Sequence, residues 1–218
     1  MSFFRLDRAT ASYNGRAVLH EISLEIQPGE KVSLIGASGA GKSTLLGLLY
    51  RQRPEDTALV TQDPSLVKTL SVFHNTYIGK LDRNPTWYNL ANLVWPLPKE
   101  VRGIGALLDS LGLADKLHTP AGELSGGQQQ RTAVARALYR ESAALLADEP
   151  VSAVDITQAH AVLEQIVARH ETVVLAMHDV ALALRYTGRV VGLRNGRVEF
   201  DRSSAGLDPA DLLPIYQA

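Results

Sequence analysis

The order of elements along the 218-residue chain predicts an α/β domain, with a mostly parallel sheet and helices on both faces. Three observations carry that prediction. Short apolar runs that read as buried strands alternate with amphipathic segments of helical spacing. One such strand runs into a glycine-rich loop and then an apolar helix, the start of a βα unit. An irregular stretch from 64 to 122, punctuated by Pro85, Pro96, Pro98 and Pro120, predicts a helical lobe inserted between core strands.

The elements follow in order. FFRLDRATASY and VLHEISLEI alternate apolar and polar residues as half-buried strands do, and predict an antiparallel side sheet. Pro28-Gly29 marks a turn. KVSLIG (31–36) reads as a buried strand, GASGAGKST (36–44) as a loop, and LLGLLY as the helix after it. RQRPED (51–56) is a polar break before the next strand, TALVTQD (57–63). RGIGALLDSLGLADKL has helical spacing, and GGQQQRTAVARALYRE (126–141) predicts an amphipathic helix with Val134, Ala137 and Leu138 on one side. AALLAD (143–148) is an apolar strand ending in an acid, 156–169 a helix, TVVLAMH (172–178) a strand and VALALRY a short helix. RVVGLRNGRVEFD (189–201) reads as a hairpin turning at Asn195-Gly196. The expected division is a core with side-sheet strands over 1–63 and 143–202, a helical subdomain over about 64–142, and a short tail over 203–218 that adds no regulatory domain.

Bulk composition narrows the function classes. Hydrophobic residues make up 45% of the chain, enough for a sizeable core. Lysine and arginine number 22 against 23 aspartates and glutamates, for a net charge of -1; phosphate-backbone binders carry a basic excess, so nucleic acid is not the expected partner. The absence of cysteine excludes disulfides and thiolate zinc sites. MSFFRLDRAT has no basic segment before an apolar run, and no apolar run is long enough to span a bilayer. The expectation is a soluble, cytoplasmic chain, still free to dock on a membrane protein.

GASGAGKS fits the P-loop pattern at every position. Gly36, Ala37, Ser38, Gly39, Ala40 and Gly41 let the backbone wrap with its N–H groups inward, and Lys42, Ser43 and Thr44 open the helix whose N-terminus faces an anion. Lys42 reaches the β- and γ-phosphates of a nucleotide, and the Ser43 hydroxyl serves Mg²⁺. That chemistry needs an acid at the end of a neighbouring strand. Asp148 fills the role, and Glu149 beside it is placed to orient or deprotonate an attacking water.

A second glycine loop, ELSGGQQQR (123–131), stands far downstream. With the P-loop and LLADEP it resembles the ATP-binding cassette (ABC) family of ATPases, from about residue 3 to about 202. The resemblance implies a P-loop NTPase fold of ABC type: a RecA-like parallel-sheet core, a reduced antiparallel β-subdomain and an inserted helical subdomain. It implies that Ser125, Gly126, Gly127 and Gln128 cap the γ-phosphate bound to a second subunit, in a head-to-tail homodimer that sandwiches two ATP molecules. Tyr13 matches the family's adenine-stacking aromatic, although a strand-end surface tyrosine is the competing reading. Gln62 matches the glutamine that touches Mg²⁺ or water and relays the nucleotide state. Asp155, in PVSAVD, matches an acid that crosses the dimer interface. His178, after TVVLAM, matches the switch histidine on the γ-phosphate; the other five histidines read as surface or packing residues.

The chain departs from the family between Lys42 and Gln62, which lie only 20 residues apart. RQRPED replaces a hairpin that family members usually carry, so the β-subdomain is expected to be trimmed. Val154 stands where leucine is usual. Downstream, KTLSVFHNTYIGKLDRNPTWYNLANLVWPLPKE is similar to the helical lobe of phosphonate-importer ATPases. That resemblance implies an ATPase motor on the inner face of the cell membrane, bound to an integral membrane permease and linked indirectly to a substrate-binding protein. Val72, Phe73, Tyr77, Trp87 and Tyr88 either line the permease groove or pack the lobe's own core. Other functions stay open on the residues alone: an ATPase of a soluble phosphonate-processing complex, an export or lipoprotein-release ATPase, or a small-molecule P-loop kinase, the last opposed by LSGGQQQR.

Overall fold

The computed structural model describes residues 1–13 and 15–216, without the side chains of Tyr13 and Arg16. Two compact units divide the described chain: residues 1–61, 143–149 and 170–216 form the first, 62–142 and 150–169 the second. The second thus takes in 150–169, which the sequence reading keeps with the core strands.

The first unit holds two sheets. β1 (Phe4–Tyr13) and β2 (Arg16–Ile26) pair as an antiparallel ribbon. β3 (Lys31–Ile35), β4 (Thr57–Val60), β5 (Ala144–Asp148), β6 (Thr172–Ala176), β7 (Arg189–Arg194) and β8 (Arg197–Ser203) form a sheet of order β4-β5-β6-β3-β7-β8. Every pairing in it is parallel except β7–β8, the hairpin turning at Asn195-Gly196. Central parallel strands are covered on both faces and so read as unbroken apolar runs; β5 and β6 are buried at every position.

Strand alternation decides which helix covers which face. Val32 and Leu34 of β3 join the core that includes Leu45, Leu46 and Leu49 of α1 (Lys42–Gln52) and Leu19, Ile22 and Ile26 of the ribbon. α1 therefore lies between ribbon and main sheet, which fixes the axis along which the P-loop feeds it. Ser33 points the other way. Its hydroxyl meets the Thr187 hydroxyl at 2.6 Å and the Ala183 carbonyl at 3.4 Å, so the buried polar pair is satisfied against α7 (Val180–Tyr186).

The trimmed ribbon has a specific repair. With two strands only, β1 presents an open edge. The Gln52 side-chain amide accepts from the Arg5 N–H at 3.1 Å and donates to the Arg5 carbonyl at 2.8 Å, as a neighbouring strand would. The Arg53 guanidinium covers the Phe3 ring at 4.7 Å. Gln52 and Arg53 belong to the RQRPED segment, so this polar break from the end of α1 to β4 also closes the ribbon's edge.

In the second unit, α2 (Val72–Tyr77), α3 (Thr86–Val94), α4 (Pro98–Ser110), α5 (Gly126–Tyr139) and α6 (Ile156–Arg169) pack as a helical body. Val72, Phe73 and Tyr77 are buried in it and line no groove. Trp87 is 70% exposed, with Leu90, Val94 and Trp95 also exposed. Tyr88 is half-buried, its hydroxyl donating to Glu100 at 2.7 Å. Helix position explains the split: 87, 90 and 94 share the outer face of α3.

Replacing Gln52 with alanine removes both bonds to Arg5. Urea unfolding of Gln52→Ala is expected to show a loss of about 1 kcal/mol with an unchanged m-value; an unshifted midpoint would show that the edge needs no partner.

Candidate nucleotide-binding site

The site grows from the carboxyl ends of β3, β5 and β6, which are neighbours in the sheet order β5-β6-β3. Ligands of open parallel sheets bind outside the carboxyl ends of their strands. β3 ends at Ile35 and the P-loop follows, with Ala37, Ser38 and Gly39 exposed, Ala40 and Gly41 buried and Thr44 half-buried. Gly36 has φ +146, and a Cβ there would stand 2.2 Å from the Leu193 carbonyl oxygen. Only glycine allows the loop to press that closely on β7. The loop is held from a second side: the His20 N–H donates to the Gly196 carbonyl at 2.8 Å, and the Gly196 N–H donates to the Ala40 carbonyl at 3.2 Å.

α1 starts without a side-chain cap, since its N-cap is Gly41. α5 and α7 differ, with Ser125 and Asp179 accepting from their first-turn amides. The uncapped first-turn N–H groups of α1 face the loop with no side-chain acceptor, as an anion site requires. Lys42 Nζ donates to the carbonyls of Gly36 at 2.7 Å and Ala37 at 3.2 Å. Burial pushes the Lys42 ammonium below its usual range, while Glu149 and Asp148 pull it back.

Opposite stand the acids. Asp148 is the last residue of β5 and is buried. Burial pushes its carboxyl up, the Ser43 hydroxyl bond draws it down, Glu149 raises it, and Lys42 and His178 lower it. Ser43 and Asp148 thus form an all-oxygen donor pair of the kind hard divalent cations take, so the residues fit Mg²⁺. Glu149 carries φ +51, left-handed for a residue with a side chain, at a cost on the order of 1–2 kcal/mol. Its N–H donates to the Ala176 carbonyl at 2.9 Å, extending the β5–β6 ladder. Its carboxylate meets His178 Nε2 at 2.7 Å. His178 is reached because the Met177 N–H donates to the Leu34 carbonyl at 3.1 Å, seating the turn after β6 beside β3.

The first unit therefore brings together Lys42, Ser43, Asp148, Glu149 and His178. The Tyr13 side chain lies outside the described residues. Gln62 is exposed, two residues past the end of β4, at the start of the second unit.

The second unit holds the other glycine loop. The Ser125 hydroxyl accepts from the Gln128 N–H at 3.4 Å and the Gln128 side chain accepts from the Ser125 N–H at 3.0 Å, a capping box that starts α5. Ser125 and Gly126 are exposed. Gly127 admits no side chain, because a Cβ would come within 2.5 Å of the Ala153 carbonyl. Two supports go unread in the sequence. Gln130 donates to the Ser152 hydroxyl at 3.1 Å and accepts from the Ala153 N–H at 2.9 Å. Buried Arg131 donates to the carbonyls of Leu111, Gly112 and Gly127. A buried arginine four residues past a glycine pair is the signal that would have found one of them. Asp155 accepts from the Gln158 N–H at 3.0 Å at the start of α6.

Comparison with known proteins follows this geometry. The family model described as ABC transporter matches residues 19–152. The phosphonates import ATP-binding protein PhnC of Stutzerimonas stutzeri is 36% identical, the match covering 98% of this chain and 89% of that protein. A phosphonates import ATP-binding protein of Pseudomonas aeruginosa is 38% identical over 93% of this chain and 86% of its own. Among solved structures, a dimeric ATP-binding cassette in a post-hydrolysis state with ADP and phosphate superposes with a TM-score of 0.80 at 25% identity, covering 93% of this chain and 99% of that one. An ABC transporter ATP-binding subunit superposes at 0.77 with 24% identity, over 97% and 98% of the two chains, and shows the shared fold.

Gly36→Ala sets a side chain against the Leu193 carbonyl in a left-handed backbone. It is expected to cost at least about 2 kcal/mol of stability and to abolish nucleotide binding, measured by urea unfolding and isothermal titration with ATP; wild-type affinity would show that the loop tolerates displacement.

Proposed function

The chain belongs to the ABC transporter family, and from that premise we propose that it is the ATP-hydrolysing motor of an importer for phosphonate or a related phosphorus oxyanion. The observation that carries the enzymatic part is the cluster of Lys42, Asp148, Glu149 and His178 at adjacent strand ends. The cargo rests on the relatives named for phosphonate import.

The residues divide the work. The loop amides from Gly36 to Thr44 hold the phosphates, and Lys42 leaves its two loop carbonyls to meet the β- and γ-oxygens. Ser43 and Asp148, with Gln62, would hold Mg²⁺, which when bound neutralises charge on those oxygens. Glu149 accepts a proton from the attacking water as its oxygen bonds to the γ-phosphorus and the bond to the β–γ bridging oxygen breaks, leaving ADP and phosphate. His178, whose Nε2 meets Glu149 at 2.7 Å, contacts the γ-phosphate. Tyr13 is assigned to adenine.

Ser125, Gly126, Gly127 and Gln128 are assigned to the ATP of a second copy, with Asp155 crossing between copies. The exposure of Ser125 and Gly126 at a helix N-terminus and the dimeric state of the solved cassette support this. No helix of the described residues is long and apolar enough to cross a membrane. From the relatives named for phosphonate import we place the chain on the inner membrane face, bound to a permease subunit, and exposed Trp87, Leu90 and Val94 of α3, with Trp95 just after it, are the apolar surface it offers that subunit.

Deleting the gene from its host is expected to abolish uptake of methylphosphonate. Wild-type protein restores uptake, and Glu149→Gln restores none because its turnover falls by at least about 100-fold while ATP binding persists. Normal uptake in the deletion strain would refute the cargo; wild-type hydrolysis by Glu149→Gln would remove Glu149 from its role.

A further inference from the structure

The C-terminal segment is built as a hook. The Ser204 N–H donates to the Gly188 carbonyl at 3.0 Å, and the Ser204 hydroxyl donates to the Thr187 carbonyl at 2.5 Å, which anchors the exit from β8. A four-residue helix, α8 (Pro209–Leu212), then opens on a capping box between Asp208 and Asp211. Leu212 and Ile215 are buried at 1% and 4% exposure, and Arg194 donates to the Pro214 carbonyl. A solvated tail would bury neither side chain. The sequence reading saw only a short tail, although Asp-Pro-Ala-Asp at 208–211 is a legible helix start.

The hook delivers Tyr216 to the nucleotide site. Its hydroxyl donates to the His178 carbonyl at 3.3 Å, and its ring lies 6.5 Å from the His178 imidazole. Tyr216 also lines a surface cavity together with Ala37, Ser38, Gly39 and Ala40 of the P-loop. A phenol has one proton to give, and here it goes to the His178 carbonyl while the residue stands beside the P-loop. Gly36 begins the P-loop after β3, and His178 ends the turn after β6, the strand paired to β3. Burial pushes the Tyr216 phenol up, with Asp179 adding to it, which keeps the donor protonated at neutral pH.

We propose that Tyr216 is a positioning residue for the ATPase reaction: standing beside the P-loop, its hydroxyl bonds the His178 carbonyl and so sets where the His178 imidazole stands relative to Glu149. This rests on the reading of His178 as the γ-phosphate contact. Tyr216 acts through His178 rather than on the reacting atoms. Phenylalanine at 216 keeps the ring that packs beside Ile215 and removes only the tie.

The test uses the full chain with labelled histidine and two readouts. The imidazole resonance of His178 is identified by its loss in His178→Gln, and steady-state ATP hydrolysis is measured in parallel. Tyr216→Phe is expected to shift the His178 resonance while those of the other five histidines stay in place, and to lower kcat by up to about tenfold with the KM for ATP little changed, as loss of one net hydrogen bond allows. An unmoved His178 resonance overturns the proposal whatever happens to kcat. A moved resonance with unchanged or higher kcat also overturns it, the second result marking the hook as inhibitory. Should His178→Gln hydrolyse ATP at the wild-type rate, the γ-phosphate assignment fails instead, while the resonance shift still reports the tie.

Discussion

The nucleotide site depends on one close approach. The backbone of Gly36 lies so near the Leu193 carbonyl that a β-carbon at 36 would stand 2.2 Å from it. That contact brings the start of the P-loop onto β7, and the turn that follows β7 then reaches Ala40 and His20 through Gly196. The loop is thus gripped by β7, by the β7–β8 turn and, through that turn, by the ribbon strand β2. Backbone amides can act as a preorganised anion cradle only if they do not have to reorganise when the anion arrives. A loop fastened along its length meets that condition, and the apolar packing of Leu45, Leu46 and Leu49 extends it to the helix behind.

The same compactness sets the electrostatic problem the site has to solve. Lys42 and Asp148 are both buried, and burial disfavours the charge on each. The groups satisfy one another: Lys42 on two loop carbonyls, Ser43 on Asp148, His178 on Glu149. Glu149 adds a left-handed backbone. The capped start of α5 contrasts with the uncapped start of α1. α1 leaves its amides for phosphates, whereas α5 spends its serine on its own helix while keeping that serine exposed.

Much of this was legible in the sequence because its determinants are local. A P-loop is a run of consecutive residues, and Asp148, Glu149 and His178 each end an apolar strand, so their positions follow from strand ends and order. What escaped the sequence is contact between residues far apart along it. Gln52 pairs with Arg5, Gln130 with Ser152, and Tyr216 with His178, and no periodicity marks any of them. Tyr77 and Trp87 show the other limit. Both are aromatics in one lobe, yet one is 3% exposed and the other 70%; which face of a helix meets a neighbour is decided by that neighbour. The hook was overlooked for a related reason: a four-residue helix has too short a pattern to show a period, and only its capping residues announce it.

The central claim is that hydrolysis is carried out by a site divided between two copies of this chain. It is tested most directly by co-expressing Lys42→Ala and Ser125→Arg chains with different tags and purifying the mixed dimer. Each variant alone is inactive, because every site in its own dimer carries the defect. In the mixed dimer a head-to-tail arrangement places both defects in one site and leaves the other intact, so the account predicts that ATP hydrolysis returns. A mixed dimer as inactive as either parent would contradict it, since a site contained within one chain would be broken in both.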